Sequence, residues 1–245
     1  MVDLAIIGGT GLSNLDGFEV TRREMIKTPY GSPSGPLLMG KLDGHSIAFL
    51  ARHGHKHSIP PHRVNYCANI WALEAIGVKR VLAVAAVGGI AQDCSVGRLV
   101  VPDQIIDYTY NRDHTFFDGL PDEVQHIDFS YPYDEPLRQW IINAANVAGV
   151  EVVPTGTYGA TQGPRLETAA EIRRMNQDGC TVVGMTGMPE ASLARELDLA
   201  YACCAVVVNP AAGISGKAID VSSLGETVES SMKNVRAMIL QALKT

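Results

Sequence analysis

The chain has 245 residues, of which 46% are hydrophobic and 19% charged, so it can bury a sizeable core. Its formal net charge of −6 excludes the basic surface typical of nucleic-acid binding, and no basic run suits a membrane surface. No apolar run reaches membrane-spanning length, the N-terminus lacks the pattern of a signal peptide, and the five cysteines predict reduced thiols. We therefore expect one domain over residues 1–245, in the cytoplasm, acting on small molecules.

Short apolar runs rich in Val, Ile and Ala alternate with helical patterns, which predicts an α/β fold. The predicted strands are Leu4 to Ile7, Ser46 to Ala51, Arg80 to Val87, Leu99 to Ile106, Val152 to Tyr158, Thr181 to Met185 and Tyr201 to Val208. The predicted helices are His62 to Ile76, Glu135 to Ala148, Thr168 to Gln177, Glu190 to Leu197 and Glu226 to Leu243. The stretch from Tyr108 to Pro136 is polar and aromatic with little periodicity. We interpret it as a functional loop or a surface for a second subunit.

The first strand runs directly into the turn Gly8-Gly9-Thr10-Gly11. Glycines let backbone N–H groups converge and Thr10 adds a hydroxyl, so this turn is typical of an anion site. A dinucleotide fingerprint would need a third glycine where Asn14 stands, and a P-loop would need a Lys followed by Ser or Thr. A tight turn that binds nothing is the alternative interpretation.

Cationic and imidazole side chains follow the second predicted strand, in Arg52-His53-Gly-His55-Lys-His57. Together with the glycine turn they predict a phosphate site at the ends of two strands. The alternation of three histidines also suits a metal site, but no carboxylate or cysteine cluster with ligand spacing supports it. We therefore rank metal binding below anion binding. An alternative interpretation is that only Arg52 and His53 are used and that His55 and His57 are solvated on a loop.

Three polar residues follow later apolar strands. Glu167 precedes a predicted helix, where it could cap free N–H groups or meet N–H groups of a ligand. Thr186 follows the strand at Val183 and could donate to phosphate. Asn209 ends an apolar strand and can both donate and accept, although an Asn before Pro210 is also typical of a turn.

These residues together resemble a known family. The motifs are Gly-Gly-Thr-Gly, Ala-Arg-His-Gly, the run from Val64 to Leu73, Gly-Pro-Arg before a helix, and Met-Thr-x-x-Pro-Glu. In order and over nearly the whole chain they are similar to the trimeric purine nucleoside phosphorylases, most closely the methylthioadenosine phosphorylase branch. The resemblance implies a single nucleoside phosphorylase domain with a mixed central β-sheet flanked by helices. It also implies a homotrimer with active sites near subunit interfaces, and phosphorolysis with phosphate as co-substrate and no metal or organic cofactor.

The resemblance also implies roles for individual residues. Those expected to hold phosphate are Thr10, Arg52, His53, Ala85, Ala86 and Thr186. Met185 would lie against the ribose, and His126 would reach the site across a subunit interface. Two positions depart from the family pattern, because Leu166 replaces a phenylalanine that stacks on the base and Ala85 replaces a hydroxyl residue.

Further departures bear on the substrate. The methylthioadenosine branch has aspartates where this chain has Asn209 and Ala211, and a serine where it has Glu167. An amide can donate to the 6-oxo group of hypoxanthine, and a glutamate can accept from N1–H, so Asn209 and Glu167 are the expected catalytic, base-binding pair. Val221 replaces a histidine that meets a 5′-hydroxyl and would accept a methylthio group.

The combination implies a phosphorylase for a 6-oxopurine nucleoside with a 5′-methylthio group. A phosphorylase for methylthioadenosine or for general 6-oxopurine nucleosides is the near alternative. A non-catalytic nucleoside-binding protein is the distant one.

Overall fold

The computed structural model describes residues 2–9, 17–119, 124–220 and 224–245. Its strands are β1 Leu4–Gly8, β2 Glu19–Glu24, β3 Leu37–Leu42, β4 His45–Ala51, β5 Arg80–Gly89, β6 Leu99–Val100, β7 Gln104–Asp107, β8 Val152–Val153, β9 Thr157–Ala160, β10 Val182–Gly184 and β11 Ala200–Pro210. Its α-helices are α1 Tyr66–Ala75, α2 Glu135–Val147, α3 Ala169–Gln177, α4 Gly187–Glu196 and α5 Leu224–Leu243. In this described part of the chain, no helix is long and apolar enough to cross a membrane.

The strands form one mixed sheet, as expected for the α/β class. β1 lies between β4 and β5 and is parallel to both, while β5 pairs along its length with the parallel strand β11. Beyond the end of β1, β5 also pairs with the antiparallel strand β10. The carboxyl ends of β1, β4, β5 and β11 therefore meet at one edge of the sheet.

Alternating side chains of the central strands pack into two separate cores, one on each face of the sheet. Ala5 and Ile7 of β1 belong to the core covered by α1 and α4, whereas Leu4 and Ile6 belong to the core covered by α2 and α5. Successive side chains of a strand point to opposite faces, so a strand covered on both faces is apolar throughout. This explains the continuous apolar runs in the sequence.

Two long predicted strands are each divided in the structure. The run from Leu99 to Ile106 becomes β6 and β7, and the run from Val152 to Tyr158 becomes β8 and β9. Pro102 and Pro154 stand at the breaks, where a residue without an N–H cannot continue the ladder. The chain bends there, so β6 and β8 extend the β11 side of the sheet while β7 and β9 extend the β10 side.

The sequence prediction missed the antiparallel hairpin of β2 and β3 and misplaced the start of α1. β2 is an edge strand with largely exposed side chains, so it has no apolar run to reveal it. α1 begins at Tyr66 rather than His62, because Asn65 is its N-cap and accepts a hydrogen bond from the Ala68 N–H at 2.9 Å. Residues Pro61–Arg63 form a separate 3-10 turn.

Candidate functional site

A cavity of about 570 Å³ lies where the carboxyl ends of the parallel strands meet, within the size range of small-molecule sites. Ten predicted site residues line it: Arg52, His53, Ala85, Ala86, Leu166, Glu167, Met185, Thr186, Asn209 and Ala211. The predicted residues Thr10 and Val221 lie outside the described residues, although Gly9, beside Thr10, lines the cavity. His126 is exposed and does not line this cavity.

An ion pair between Arg52 and Glu190 lies against the cavity and is almost fully buried, with side-chain exposures of 2% and 0%. Arg52 Nε and Nη2 donate to the two carboxylate oxygens at 2.7 and 2.8 Å, and Nη1 donates to the Val84 carbonyl at 3.0 Å. The Tyr201 hydroxyl donates to the same carboxylate at 2.8 Å. These bonds leave two of the five guanidinium N–H donors for a ligand.

The ion pair with Glu190 stabilises the protonated, charged form of Arg52. Burial alone would lower the pKa of Arg52, but the charge and hydrogen bonds of Glu190 raise it above its ordinary value. Arg52 was predicted from the sequence as a site residue, whereas Glu190 was predicted only as the start of a helix. The available signal was the motif Met-Thr-x-x-Pro-Glu, in which Glu190 follows the predicted phosphate donor Thr186.

The His53 ring is neutral, so its Nδ1 donates a hydrogen bond and its Nε2 can accept one. Its Nδ1 lies 2.9 Å from the carbonyl of Ile59, and because a carbonyl only accepts, Nδ1 carries the proton. Burial, followed by the charge of Arg52, lowers the pKa of His53 to about 4. A ligand oxygen that bonds Nε2 near neutral pH therefore has to supply the proton.

Replacing His53 by glutamine is expected to flatten the pH dependence of stability between pH 6.5 and pH 4. In this window the unfolded chain holds a proton on His53 that the folded chain lacks, so stability falls as the pH falls. The loss amounts to about 1.4 kcal/mol per pH unit, or about 3 kcal/mol in all. Urea unfolding at several pH values measures it. An unchanged slope in His53→Gln would contradict the assignment.

Two of the three histidines, His53 and His57, lie beside each other in the cavity wall. The rings of His53 and His57 lie 4.3 Å apart between centroids, and burial lowers the pKa of His57. Among the described residues, no three His, Cys, Asp or Glu side chains cluster as possible metal ligands. The side chain of His55 lies outside this description.

Glu167 is oriented by the end of β9 and is not the cap of the helix that follows it. Its Oε1 accepts a hydrogen bond from the Thr161 hydroxyl at 2.7 Å, and the Thr161 N–H is bonded to the Gly184 carbonyl. The cap of α3 is instead a reciprocal pair, in which Thr168 accepts from the Glu171 N–H and Glu171 accepts from the Thr168 N–H. Glu167 thus lines the cavity and has no capping role.

Asn209 lies at a β-bulge. The pairing of β11 with β5 shifts register between Val207 and Asn209, so side-chain alternation is broken there and both Val208 and Asn209 line the cavity. The Asn209 amide donates one hydrogen bond to the Pro210 carbonyl at 2.7 Å. Its second N–H and its oxygen are left for a ligand.

The phosphate side of the cavity has small side chains and a hydroxyl. Ala86 is the one exposed residue of β5, and Ala85 beside it is 7% exposed. Thr186 is the N-cap residue of α4, but its hydroxyl makes no capping bond. A small ligand could therefore approach this strand and hydroxyl closely.

The side chain of Met185 occupies space that is free only because residue 163 is a glycine. Gly163 has φ +60°, and a Cβ at this position would lie 2.5 Å from the Met185 sulfur. Gly163→Ala is therefore expected to displace Met185 and lower activity about tenfold, since small misplacements in a site are costly. Gly149→Ala is the matched control, because Gly149 has φ +69° and nothing within 4 Å of the added Cβ. Equal activity in the two variants, measured as kcat/KM, would contradict the role of this contact.

The chain matches the family model of the phosphorylase superfamily over residues 3–244. It is 51% identical over 243 residues to the probable S-methyl-5′-thioinosine phosphorylase of Pseudomonas syringae pv. tomato, with 99% of both chains covered. It is 46% identical over 248 residues to the 6-oxopurine nucleoside phosphorylase of Pyrococcus furiosus, covering 99% of this chain and 92% of that one. Methylthioadenosine phosphorylase from Schistosoma mansoni, solved in complex with adenine, has a TM-score of 0.93 at 32% identity, covering 100% of this chain and 91% of that chain. The chain therefore belongs to the phosphorylase superfamily, as its motifs indicated.

Proposed function

We propose that the protein catalyses phosphorolysis of S-methyl-5′-thioinosine, yielding hypoxanthine and 5-methylthioribose 1-phosphate. The observation that carries this proposal is that Asn209 and Glu167 line one cavity together with Arg52 and Thr186. The first pair suits a 6-oxopurine base, and the second pair suits phosphate. The relatives named above act on related nucleosides according to their names, which agrees with this assignment.

The proposed mechanism follows from where charge develops. The glycosidic bond breaks through a cationic sugar, which a phosphate held by Arg52, Thr186 and the β5 backbone would stabilise before attacking the anomeric carbon. The Nε2 atom of His53 would accept a hydrogen bond from a protonated phosphate oxygen or a sugar hydroxyl. On the other side, the second N–H of Asn209 would donate to the 6-oxo group, where negative charge of the departing purine collects, and its oxygen would accept from N7 once N7 is protonated.

Base specificity rests on hydrogen-bond matching. The amide of Asn209 can donate to a 6-oxo group, and the carboxylate of Glu167 can accept from N1–H, whereas adenine offers an amino group and an unprotonated N1. Ala211 is 2% exposed and packs in an apolar cluster, so no carboxylate is present there to bind an amino group.

The 5′ specificity is supported by apolar residues from α5. Val228 and Met232 line the cavity and are 6% and 2% exposed. A methylthio group can pack against such side chains, whereas a 5′-hydroxyl left without a partner is penalised. The proposed role of Val221 concerns the same end of the sugar.

Steady-state kinetics with phosphate and three nucleosides tests the proposal. We expect kcat/KM to be highest for methylthioinosine, lower for inosine and lowest for methylthioadenosine. A preference for inosine would favour a general 6-oxopurine nucleoside phosphorylase, the activity named for the relative at 46% identity. Base release that needs no phosphate, or none at all, would contradict phosphorolysis, and loss of activity with a chelator would contradict the proposed absence of a metal.

We also propose a cytoplasmic homotrimer in which His126 reaches the site of a neighbouring subunit. His126 is exposed and does not line the cavity of its own chain, and both facts are compatible with that role. Sedimentation equilibrium measures the assembly, and a monomer would contradict it.

A further inference from the structure

Arg112 makes hydrogen bonds with all three of its guanidinium nitrogens, although it lies between β7 and α2, where the described residues form no regular secondary structure. It is 9% exposed. Its Nε donates to the Gln162 side-chain oxygen at 3.0 Å, and Nη2 donates to the carbonyls of Thr161 and Gln162 at 3.1 and 2.9 Å. Its Nη1 donates to the carbonyls of Met185 and Met188 at 3.0 and 2.6 Å and to the Tyr66 hydroxyl at 3.2 Å.

Four of these acceptors, the Gln162 side chain and the carbonyls of Thr161, Gln162 and Met185, belong to two loops that contribute to the cavity wall, while the Met188 carbonyl belongs to α4 and the Tyr66 hydroxyl to α1. The loop after β9 contains Thr161 and Gln162 and leads to Glu167, while the loop after β10 contains Met185 and leads to Thr186. The ladder between β9 and β10 has its last pair at Ala160 and Gly184. Beyond that pair, Arg112 links the two backbones where the sheet no longer does.

The segment that carries Arg112 is itself anchored to the body of the protein. The Thr115 hydroxyl and the Phe116 N–H donate to the carboxylate of Glu196 on α4, at 2.6 and 2.7 Å. The guanidinium of Arg112 also lies 5.3 Å from the ring centroid of Tyr66 on α1. Arg112 is therefore anchored to α1 and, through its segment, to α4, and it donates hydrogen bonds to both loops.

Arg112 does not line the cavity, so its effect on a ligand has to pass through the loops. From this geometry we infer that Arg112 is a positioning residue that sets the spacing between Glu167, on the base side, and Met185 and Thr186, on the sugar and phosphate side. The inference rests on the proposed function. A planar guanidinium with five donors can hold carbonyls on two loops at once, whereas a lysine ammonium has three donors on a flexible stem.

The experiment compares Arg112→Lys with Arg138→Lys. Arg138 is a matched control because it is 3% exposed and likewise ties backbone carbonyls together, those of Val101, Pro102 and Pro154, away from the cavity. Both variants are expected to lower Tm. Only Arg112→Lys is expected to lower kcat/KM for methylthioinosine, by about 100-fold, because reacting groups displaced by about 1 Å lose that much rate.

Chemical rescue supplies a readout that a purely structural role would not move. Millimolar guanidinium should restore part of kcat in Arg112→Ala, because the ion fits the vacated carbonyl acceptors, while methylammonium should not. Equal kcat/KM in Arg112→Lys and Arg138→Lys, or no selective rescue, would overturn the inference. An inactive wild-type protein would instead count against the proposed function.

A milder variant decides the matter if Arg112→Lys does not fold. Gln162→Leu removes one side-chain acceptor of Arg112 and leaves the carbonyl acceptors in place. We expect kcat/KM to fall about fivefold with little change in Tm, a smaller effect than the loss of the whole group. An unchanged kcat/KM in this variant would overturn the positioning role.

Discussion

Glu190→Gln is expected to lower the free energy of unfolding by about 3–5 kcal/mol, because it leaves the buried charge of Arg52 without its counter-charge. Both side chains are almost completely shielded from water, so solvent cannot compensate. The glutamine amide also presents N–H donors to a guanidinium that has only donors. The same change should lower kcat/KM for phosphorolysis by at least about 100-fold, because Arg52 loses the contacts that fix its orientation.

Urea unfolding of the wild type and of Glu171→Gln provides the comparison. Glu171 forms a similar two-pronged pair with Arg165 at 2.7 and 2.9 Å, but at the surface, where water screens the charges and such a pair contributes little to stability. Losses of equal size in Glu190→Gln and Glu171→Gln would contradict the role of burial.

A double variant separates stability from activity. Arg52→Met with Glu190→Leu removes both charges, so it should be far more stable than Glu190→Gln while remaining inactive. If this double variant retained phosphate-dependent release of base, Arg52 would not be the phosphate ligand that the proposed mechanism requires.

The part of the site that the sequence predicted is the part fixed by strand ends. Continuous apolar runs identify β1, β4, β5 and β11, and the polar residues that follow parallel strands have to meet at one edge of the sheet. Arg52 and Asn209 were recognised in this way, because each stands at or just after the end of an apolar run. Thr186 also follows an apolar run, but its strand, β10, is antiparallel to β5, so the parallel-strand rule does not place it at this edge.

What the sequence did not predict depends on contacts between distant segments. Glu190 lies 138 residues from Arg52 along the chain. Apart from its place in the motif Met-Thr-x-x-Pro-Glu, nothing in the sequence distinguishes it from an acidic residue favoured in the first turn of a helix. Arg112 lies in a stretch without periodicity, so nothing local indicates that it binds the carbonyls of two other loops. The interpretation of that stretch as functional was compatible with this outcome but did not identify the residue.

Asn209→Asp is expected to shift base preference toward adenine nucleosides. An aspartate can accept from a 6-amino group, but it repels a 6-oxo group and cannot donate to it, and such a mismatch is heavily penalised in a buried site. The ratio of kcat/KM for methylthioadenosine to kcat/KM for methylthioinosine should rise about 100-fold. Most of this rise should come from a lower kcat/KM for methylthioinosine. Steady-state assays with both nucleosides at saturating phosphate measure this ratio.

Asn176→Asp is the matched control for the added charge. Asn176 is exposed on α3 and does not line the cavity, so this variant should keep the wild-type ratio. If Asn209→Asp lowered kcat/KM equally for both nucleosides, the amide would not discriminate between the bases. Glu167 would then be the remaining residue that could determine base specificity. If the ratio rose as expected, Asn209 would be the group that meets position 6 of the purine, because only there do the two substrates differ in their exocyclic group.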